Sequence, residues 1–346
     1  MSSLNSALDL LDLAVASSHG LASEAGREGA ASVAAAARKR QDLFSDAIVV
    51  AIAGGTGTGK SSLLNAIAGQ AIASTSALRP HTNTPLAWIP ADDPAIARLV
   101  SDLDIEEVVV HDDGPALAII DLPDLDSVDD DHRTLVEAVL PLVDAVIWVF
   151  DPVKYHDPSI HADFLTHLVT YEPVFTFVLN KIDRLDEAET EAVATHLGVI
   201  LSMDGFRDAT VIPVAAAPPG DDPIGIEALI AVLNDTLVAK RADRAKLIED
   251  VLQTGRRLAT ETAVWSGTSD DARDRIQAAL DDPGHLGGVL DDLGIDDPLR
   301  EGIIASDGDV GLVDDLLLQR AELAATVAAL GVLCAEISQP EMGVLI

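Results

Sequence analysis

The chain has 346 residues, more than one ordinary domain needs, and 48% of them are hydrophobic, which is enough for a packed core. Its 58 acidic and 22 basic residues give a formal net charge of −36. Such a surface repels phosphate backbones and so disfavours a primary role in binding nucleic acid. The single cysteine, Cys334, excludes an intrachain disulfide framework and is typical of a reducing cytoplasm. No secretion signal is found, so we expect a soluble chain.

Apolar runs and helical patterns alternate along most of the chain. Residues 4–44 are rich in Ala and Leu and predict one or two helices ahead of the first strand. Seven apolar runs then predict strands at 47–53, 86–89, 108–110, 116–120, 145–150, 174–179 and 210–214. Helical patterns lie between most of them, at 62–68, 130–140, 159–169, 187–203 and 226–238. The alternation predicts an α/β fold with a doubly wound, mainly parallel sheet, which binds ligands at the carboxyl ends of its strands.

Strand patterns end at Lys240. Helical stretches follow at 241–262, 271–280 and 313–337, separated by clusters of Asp, Gly and Pro. Their apolar positions have to be buried, and the N-terminal helix is the obvious partner. We therefore predict an N-terminal helical segment (1–44), an α/β domain (45–239), and a C-terminal helical domain (240–346) that packs with the N-terminal helix.

The most informative segment reads GGTGTGKSS and fits the phosphate-loop pattern Gly-x4-Gly-Lys-Ser. It follows a predicted strand and opens a predicted helix, so its backbone N–H groups and the helix N-terminus would meet at one di- or triphosphate. Lys60 is predicted to reach the β- and γ-phosphates, and the Ser61 hydroxyl to bind Mg²⁺. The predicted nucleotide-binding residues here are Gly54, Gly55, Thr56, Gly57, Thr58, Gly59, Lys60, Ser61 and Ser62.

Two further motifs begin where predicted strands stop. Asp121, in the sequence DLPD, is placed to hold Mg²⁺ through its water shell, although an Asp in this position is also a common turn or helix cap. Asp183, in NKID, can accept hydrogen bonds from both N1–H and the amino group of guanine, a pair of donors that adenine lacks. Lys181 would lay its stem over the base, and Asn180 would tie this loop to the phosphate loop. These motifs predict a site for GTP and GDP with Mg²⁺.

In this order, the motifs resemble those of a P-loop GTPase (G domain) of the Era and dynamin-like groups. GGTGTGKS, DLPD and NKID match the first, third and fourth G motifs, and the resemblance covers about residues 47–239. The fifth motif, often Ser-Ala-Lys in the family, falls at 214–217, which implies that Ala215 and Ala216 contact guanine through backbone N–H groups. The segment DPVKYHDP at 151–158 resembles one seen in actinobacterial dynamin-like GTPases, which implies that it shapes the site or a dimer contact, with an ordinary loop as the alternative.

The second G motif requires a switch threonine. The segment RPHTNTP at 79–85 resembles the Arg-Pro-x-Thr-x-x-Pro of the family, which implies that Thr82, rather than Thr84, meets Mg²⁺ and the γ-phosphate. Lys60 and Thr82 are the predicted catalytic residues. Arg79 is either a charge that acts on the phosphates, in cis or in trans, or a plain exposed arginine. The alternative for the whole segment is a Pro-rich loop whose threonines only form turns.

Three positions depart from the family pattern. Leu125 stands where Ras-like enzymes carry the glutamine that orients the attacking water, and Asp124 replaces the glycine of the third motif. Gly57 stands where potassium-activated relatives have asparagine, so the resemblance implies no potassium dependence. We therefore expect slow hydrolysis by the isolated chain, raised by self-association or by a partner that positions water and adds positive charge.

Three functions are compatible with these features. The first is a dynamin-like GTPase that couples a nucleotide switch to a helical neck or stalk. The second is an Era-type regulatory GTPase in the assembly of a large complex, and the third is a GTP-gated scaffold with negligible hydrolysis. The partner hypotheses are a nucleotide-dependent homodimer and a membrane-associated partner. We expect a cytoplasmic location, at most peripheral to the membrane, and whether the protein continues beyond Ile346 stays open.

Overall fold

A computed structural model describes residues 4–19, 21–40, 45–74, 84–112, 114–124, 138–262 and 310–338, together with 274–275, 278–279, 285 and 287–289. The chain divides into two compact units. One comprises Ser45–Arg241. The other comprises the described residues of Met1–Phe44 and Ala242–Glu341. We describe each unit by itself.

The first unit is built on a seven-stranded sheet with the strand order β3-β2-β4-β1-β5-β6-β7. The strands are β1 (Ile48–Gly54), β2 (Leu86–Pro90), β3 (Glu107–His111), β4 (Leu117–Asp121), β5 (Ala145–Phe150), β6 (Phe175–Leu179) and β7 (Val211–Pro213). Neighbouring strands are parallel, except that β2 runs antiparallel to β4. The carboxyl ends of β1, β4, β5, β6 and β7 therefore lie along one edge of the sheet.

Both faces of the sheet are buried, which explains why its strands are nearly continuous apolar runs. Alternate residues of β1 face opposite ways, because successive side chains on a strand point to opposite faces. Val49 and Ala51 belong to one core, which also contains Trp148 and Phe206, whereas Ile52 belongs to the other. The sheet is thus the middle layer of a three-layer α/β unit.

The described helices of eight or more residues are α1 (Leu4–Ser17), α2 (Glu24–Arg38), α3 (Lys60–Ala68), α4 (Pro94–Asp102), α5 (Glu187–Asp204), α6 (Ile226–Thr262) and α7 (Val310–Ile337). Helices α4 and α5 cover one face of the sheet, and α3 and the first half of α6 cover the other. Between β5 and β6 the chain forms a π-helical segment, Ile160–Leu165, followed by a short α-helix, Thr166–Leu168.

The helical unit has a core of its own. Helix α1 contributes Leu4, Leu8 and Leu11, which pack with residues of α2, α6 and α7. The apolar partners from the other helices are Ala34, Ala37, Ile248, Val251, Leu252, Leu330 and Cys334. Cys334 is buried in this core, and burial raises the pKa of its thiol to about 11. None of the described helices is both long and apolar enough to cross a lipid bilayer.

The predicted fold class is confirmed, and all seven predicted strands are present within two residues of their predicted bounds. One prediction about the helices was wrong. Residues 226–238 and 241–262 form the single helix α6, because the connecting Ala239-Lys240-Arg241 contains no Gly or Pro that would break it. The predicted helix at 130–140 lies largely outside the described residues, and so does most of 271–280.

A buried ion pair fixes α6 to the sheet, and we predict that it contributes strongly to stability. Lys240 Nζ donates to Asp144 Oδ2 at 2.8 Å and to Ala47 O at 2.8 Å. Asp144→Ala would leave the buried ammonium without its carboxylate, and should lower the free energy of unfolding by about 3 kcal/mol. Urea denaturation measures this change.

The matched control is Asp102→Ala, which removes the carboxylate of the exposed pair between Arg98 and Asp102. Because both of these side chains are mostly exposed, the change should stay below about 0.5 kcal/mol. An equal effect of the two substitutions would show that burial of the Lys240 pair adds nothing.

Candidate functional site

Five loops follow strands that end along the same sheet edge. They begin after β1, β4, β5, β6 and β7, and they contain the phosphate loop, DLPD, the segment 151–158, NKID and the residues 214–217. Because those strands are consecutive neighbours in the order β4-β1-β5-β6-β7, the loops lie side by side. The structure therefore brings together motifs that are up to about 160 residues apart in the sequence.

The phosphate loop connects β1 directly to α3, which begins at Lys60. Two of its glycines are required by their surroundings. Gly54 has φ +148°, and a Cβ there would lie 2.4 Å from Val149 O. Gly59 has φ +97°, and a Cβ there would lie 2.4 Å from Asn180 Nδ2. The pattern Gly-x4-Gly is thus explained by positive backbone angles and by close contact with β5 and with the NKID loop.

Lys60 is buried beneath this loop, with its ammonium group turned back toward the backbone. Nζ donates to Gly54 O at 3.0 Å and to Gly55 O at 3.4 Å. It also forms an ion pair with Asp124 Oδ1, and both side chains are largely buried. The lysine therefore lies where the phosphate-loop motif requires it, with a carboxylate of the DLPD segment as its partner.

Ser61 and Asp121 lie next to each other, as the predicted Mg²⁺ site requires. Ser61 Oγ donates to Asp121 Oδ2 at 2.8 Å, while Asp121 Oδ1 is buried and has no hydrogen-bond partner among the residues that the structure describes. Burial raises the pKa of Asp121 to about 6, against the opposing effects of the Lys60 charge and the Ser61 hydrogen bond. An unpartnered buried carboxylate oxygen beside a hydroxyl is a donor set that suits a hard divalent cation. The residues present therefore fit Mg²⁺.

Asn180 connects three loops through its side-chain amide. Its Nδ2 donates to Thr58 O at 2.9 Å, which joins the NKID loop to the phosphate loop as predicted. Its Oδ1 accepts from Lys181 N at 2.8 Å and from Ala216 N at 3.0 Å. Asn180 is almost fully buried, and its bonds to Thr58 O and Ala216 N form away from water. A buried amide with its bonding groups satisfied fixes the relative positions of the loops.

Lys181 reaches across the phosphate loop. Its Nζ donates to Gly57 O and lies 3.3 Å from Asp151 Oδ2. The lysine itself has φ +65°, a left-handed conformation that is uncommon outside glycine. Its stem thereby extends from the NKID loop toward the glycine-rich turn.

The segment after β5 also lies beside the phosphate loop, and a part in the site was one of the alternatives that the sequence left open. Asp151 is buried, and its Oδ1 accepts from Val153 N and Lys154 N at 2.9 Å each. Lys154 Nζ lies 3.4 Å from Thr56 O. The position of Asp151 directly after a buried strand was the available sequence feature, but its pairing with Lys181 depends on the order of the strands.

Asp183 lies in a short 3₁₀ turn, Ile182–Arg184, within the NKID loop that follows β6. Its side chain is exposed, and within the part of the chain that the structure describes no hydrogen bond to its carboxylate is found. The turn is fixed by Ile182 N, which donates to Val214 O at 3.2 Å. The carboxylate is thus held by the backbone at the sheet edge and is accessible to a base.

The residues of the fifth motif differ in part from the expectation. Ala215 N donates to Ile224 O at 3.0 Å, and Ala216 N donates to Asn180 Oδ1. Both backbone donors that were predicted to contact guanine are therefore hydrogen-bonded within the protein. Ala217 follows them and is exposed at the same edge.

Some of the remaining predicted residues lie within the described part of the chain and others lie outside it. Ser62 is half buried in the first turn of α3, one residue beyond Ser61. Thr82, Arg79 and Leu125 lie outside the described residues, so their predicted roles stay predictions. Thr84 is described and exposed, two residues before β2.

One family of proteins matches the chain at the level of sequence. The model of the family described as 50S ribosome-binding GTPase matches residues 49–181. The matched region runs from β1 through Lys181 and contains the phosphate loop, DLPD and the start of NKID. The predicted resemblance to a P-loop GTPase is confirmed by this match. Among curated proteins, none matches the chain.

Several solved structures are similar to the chain at low sequence identity. A protein of an oligomerised bacterial dynamin pair is 11% identical, with a TM-score of 0.45 over 97% of this chain and 76% of that chain. Toc33 from Arabidopsis thaliana is 14% identical, with a TM-score of 0.41 over 62% and 93% of the two chains. The FeoB G-domain from Methanococcus jannaschii is 16% identical, with a TM-score of 0.31 over 55% and 97%. At these scores, the predicted closeness to dynamin-like GTPases stays a prediction.

The contact between Gly59 and Asn180 leads to a prediction about stability. Gly59→Ala places a Cβ against Asn180 Nδ2 and also forces alanine into a left-handed conformation. Gly69→Ala, at φ +65°, imposes the same kind of backbone strain, but nothing lies within 4 Å of the added Cβ. Gly59→Ala should therefore lower the free energy of unfolding by about 2 kcal/mol more than Gly69→Ala.

Denaturant titration of the two nucleotide-free variants gives this difference. If both substitutions lower the free energy of unfolding equally, the contact between Gly59 and Asn180 does not contribute to the stability of the fold.

Proposed function

We propose that this chain, which contains a P-loop GTPase domain, binds GTP with Mg²⁺ and hydrolyses the GTP slowly to GDP and phosphate. The observation that carries the proposal is the side-chain amide of Asn180, which holds the NKID loop against the phosphate loop. These bonds support the proposal because they fix the loop to which we assign base recognition relative to the loop to which we assign phosphate binding. A nucleotide that spans both is the ligand that this arrangement fits.

Guanine recognition is assigned to Asp183. Its carboxylate is exposed and has no hydrogen bond within the described part of the chain, so it can accept from the two adjacent donors on the guanine edge, N1–H and the exocyclic amino group. Adenine presents an acceptor at N1 and would leave the carboxylate facing a lone pair. Lys181 supplies an aliphatic surface beside this position, with its ammonium held by Asp151 and Gly57 O.

Phosphate binding is assigned to the loop between β1 and α3 and to Lys60. The N-terminus of α3 and the loop N–H groups favour negative charge, and the Lys60 ammonium adds a full positive charge within a buried environment. Asp121 and Ser61 would hold Mg²⁺, which supplies charge neutralisation on the phosphate oxygens. In this assignment Thr82 helps to position the terminal phosphate. Leu125 has no group that orients water, so hydrolysis by the isolated chain is slow.

We further propose that the nucleotide state is passed to the helical unit, as in a dynamin-like GTPase. The supporting observation is that α1, α2, α7 and the second half of α6 form a separate hydrophobic core. A cytoplasmic protein that self-associates, or that meets a membrane-associated partner, fits this organisation. Co-sedimentation with liposomes in the presence of GTP tests the membrane part of this proposal.

Two other functions each have one observation in their favour. The family model that matches is one of ribosome-binding GTPases, which favours an Era-type role, although the net charge of −36 opposes binding to RNA. Leu125 favours a GTP-gated scaffold that barely hydrolyses. Co-sedimentation with ribosomes and measurement of turnover distinguish these two from the dynamin-like proposal.

The substitution Asp183→Asn should reverse the base preference. The asparagine replaces one acceptor oxygen by an NH₂ donor, so two charge-assisted bonds to guanine are lost and a xanthine base becomes the better match. We expect the affinity for GDP to fall at least about a hundredfold and that for xanthosine diphosphate to rise. Isothermal titration calorimetry with GDP, ADP and xanthosine diphosphate measures both changes.

Asp208→Asn is the control, since Asp208 is exposed and precedes β7, at the opposite edge of the sheet. It should leave all three affinities unchanged. The proposal of guanine recognition is wrong if the wild-type protein binds ADP as tightly as GDP, or if Asp183→Asn keeps the original preference.

Turnover should depend on protein concentration. If self-association supplies the missing water-positioning group, GTP turnover per molecule rises with concentration, and aluminium fluoride with GDP yields a dimer in light scattering. Thr82→Ala should abolish this rise, whereas Thr84→Ala should retain it. A rise that survives Thr82→Ala would refute the switch assignment, and turnover that stays negligible at every concentration would favour the scaffold.

A further inference from the structure

The ammonium group of Lys60 has all three of its N–H bonds engaged within the protein. Two go to the backbone acceptors Gly54 O and Gly55 O, and the third goes to Asp124 Oδ1. The lysine side chain is only 6% exposed and that of Asp124 only 12% exposed. An incoming phosphate oxygen can therefore bond to Lys60 only by replacing one of these acceptors.

Asp124 is the acceptor that a phosphate group would replace. The carbonyls of Gly54 and Gly55 belong to the phosphate loop, which β1 and α3 hold at both ends. Asp124 lies three residues beyond the end of β4, and its link to Lys60 joins residues 64 positions apart. A carboxylate is also the protein group that most resembles a phosphate oxygen in charge and in hydrogen bonding. One anion would thus replace another on the same ammonium.

We propose that Asp124 acts as an internal anion that competes with the γ-phosphate for Lys60, so that the site favours GDP over GTP until Asp124 leaves the lysine. This inference rests on the proposed function. Two anions within reach of one buried ammonium repel each other strongly, because the surroundings screen charge weakly. GDP lacks the terminal group and allows the Lys60–Asp124 pair to persist. Asp124 is therefore a specificity-determining residue for the state of the nucleotide.

The proposal also gives the DLPD segment a way to sense the nucleotide. In the resembling family this position is a glycine, which has no side chain to exclude. Here, displacement of the charged side chain of Asp124 would move the residues that follow Asp121. GTP binding would thus be coupled to these residues by repulsion between the γ-phosphate and the Asp124 carboxylate, in place of a backbone contact to glycine.

The test is the ratio of two affinities. Calorimetry gives Kd for GDP and for a non-hydrolysable GTP analogue, both with Mg²⁺, in the wild type, Asp124→Asn and Asp124→Gly. We expect the ratio Kd(GTP analogue)/Kd(GDP) to fall at least about tenfold in both variants, since each removes the competing charge. Asp124→Glu keeps the charge and should keep the ratio within about threefold of the wild type.

Asp92→Asn is the charge-matched control. Asp92 is exposed and follows β2, which runs antiparallel to β4 and therefore ends at the opposite edge of the sheet. The control should leave the ratio unchanged. If it lowers the ratio as much as Asp124→Asn does, the effect reflects net charge alone and the proposal is wrong.

Thermal unfolding provides a readout that does not depend on turnover. Without nucleotide, Asp124→Asn should lower Tm, because Lys60 loses its buried counter-ion. The GTP analogue should raise the Tm of this variant more than GDP does. In the wild type, the GTP analogue should have no such advantage over GDP.

The outcomes separate this inference from the function on which it rests. If the wild type binds guanine nucleotides and neither Asp124→Asn nor Asp124→Gly changes the affinity ratio, Asp124 does not compete with the γ-phosphate and only the inference fails. An unchanged ratio with reduced turnover would make Asp124 a group that positions water, which also overturns it. If the wild type binds no guanine nucleotide, the proposed function itself fails.

Discussion

The side-chain amide of Asn180 is the interaction on which the geometry of the site depends. It donates to the phosphate loop, and it accepts from Lys181 N of its own loop and from Ala216 N of the segment after β7, almost fully buried. Gly59 has to be a glycine because this amide occupies the space that a side chain would need. The relative positions of the NKID loop and the phosphate loop therefore depend on one buried residue, and a buried amide left partly unbonded would be costly.

The acidic character of the chain makes the location of its lysines informative. With a net charge of −36, the protein repels anions at long range, so an anionic ligand has to be bound by local positive charge. Lys60, Lys154 and Lys181 all direct their ammonium groups to carbonyls of residues 54–57. Each of these lysines lies in the segment that follows one of the parallel strands β1, β5 and β6. Three of the four lysines within residues 45–241 thus lie at the sheet edge with the phosphate loop, and the fourth, Lys240, pairs with Asp144.

Much of this organisation is predictable from the sequence, and the reason is physical. Strands buried on both faces must be continuous apolar runs, so the seven runs identified the sheet, and the motifs followed where runs ended. The pairs Lys60–Asp124 and Lys181–Asp151 were not predictable, because each depends on which strands are neighbours. The continuity of α6 has a different cause. The change from strand-containing to helical sequence predicts a boundary near Lys240, but no residue there breaks a helix.

The charges around Lys60 show why the cation and the terminal phosphate have to be considered together. Two carboxylates, Asp121 and Asp124, act on one another and on a single ammonium in a buried space. A triphosphate would add further negative charge to a group of residues that already carries more carboxylate than ammonium. A cation at Oδ1 of Asp121 would offset part of this charge, but a terminal phosphate oxygen would reach Lys60 only when Asp124 leaves the lysine. GDP carries less charge than GTP and has no terminal phosphate beside Lys60. Its binding therefore requires less rearrangement of these charges.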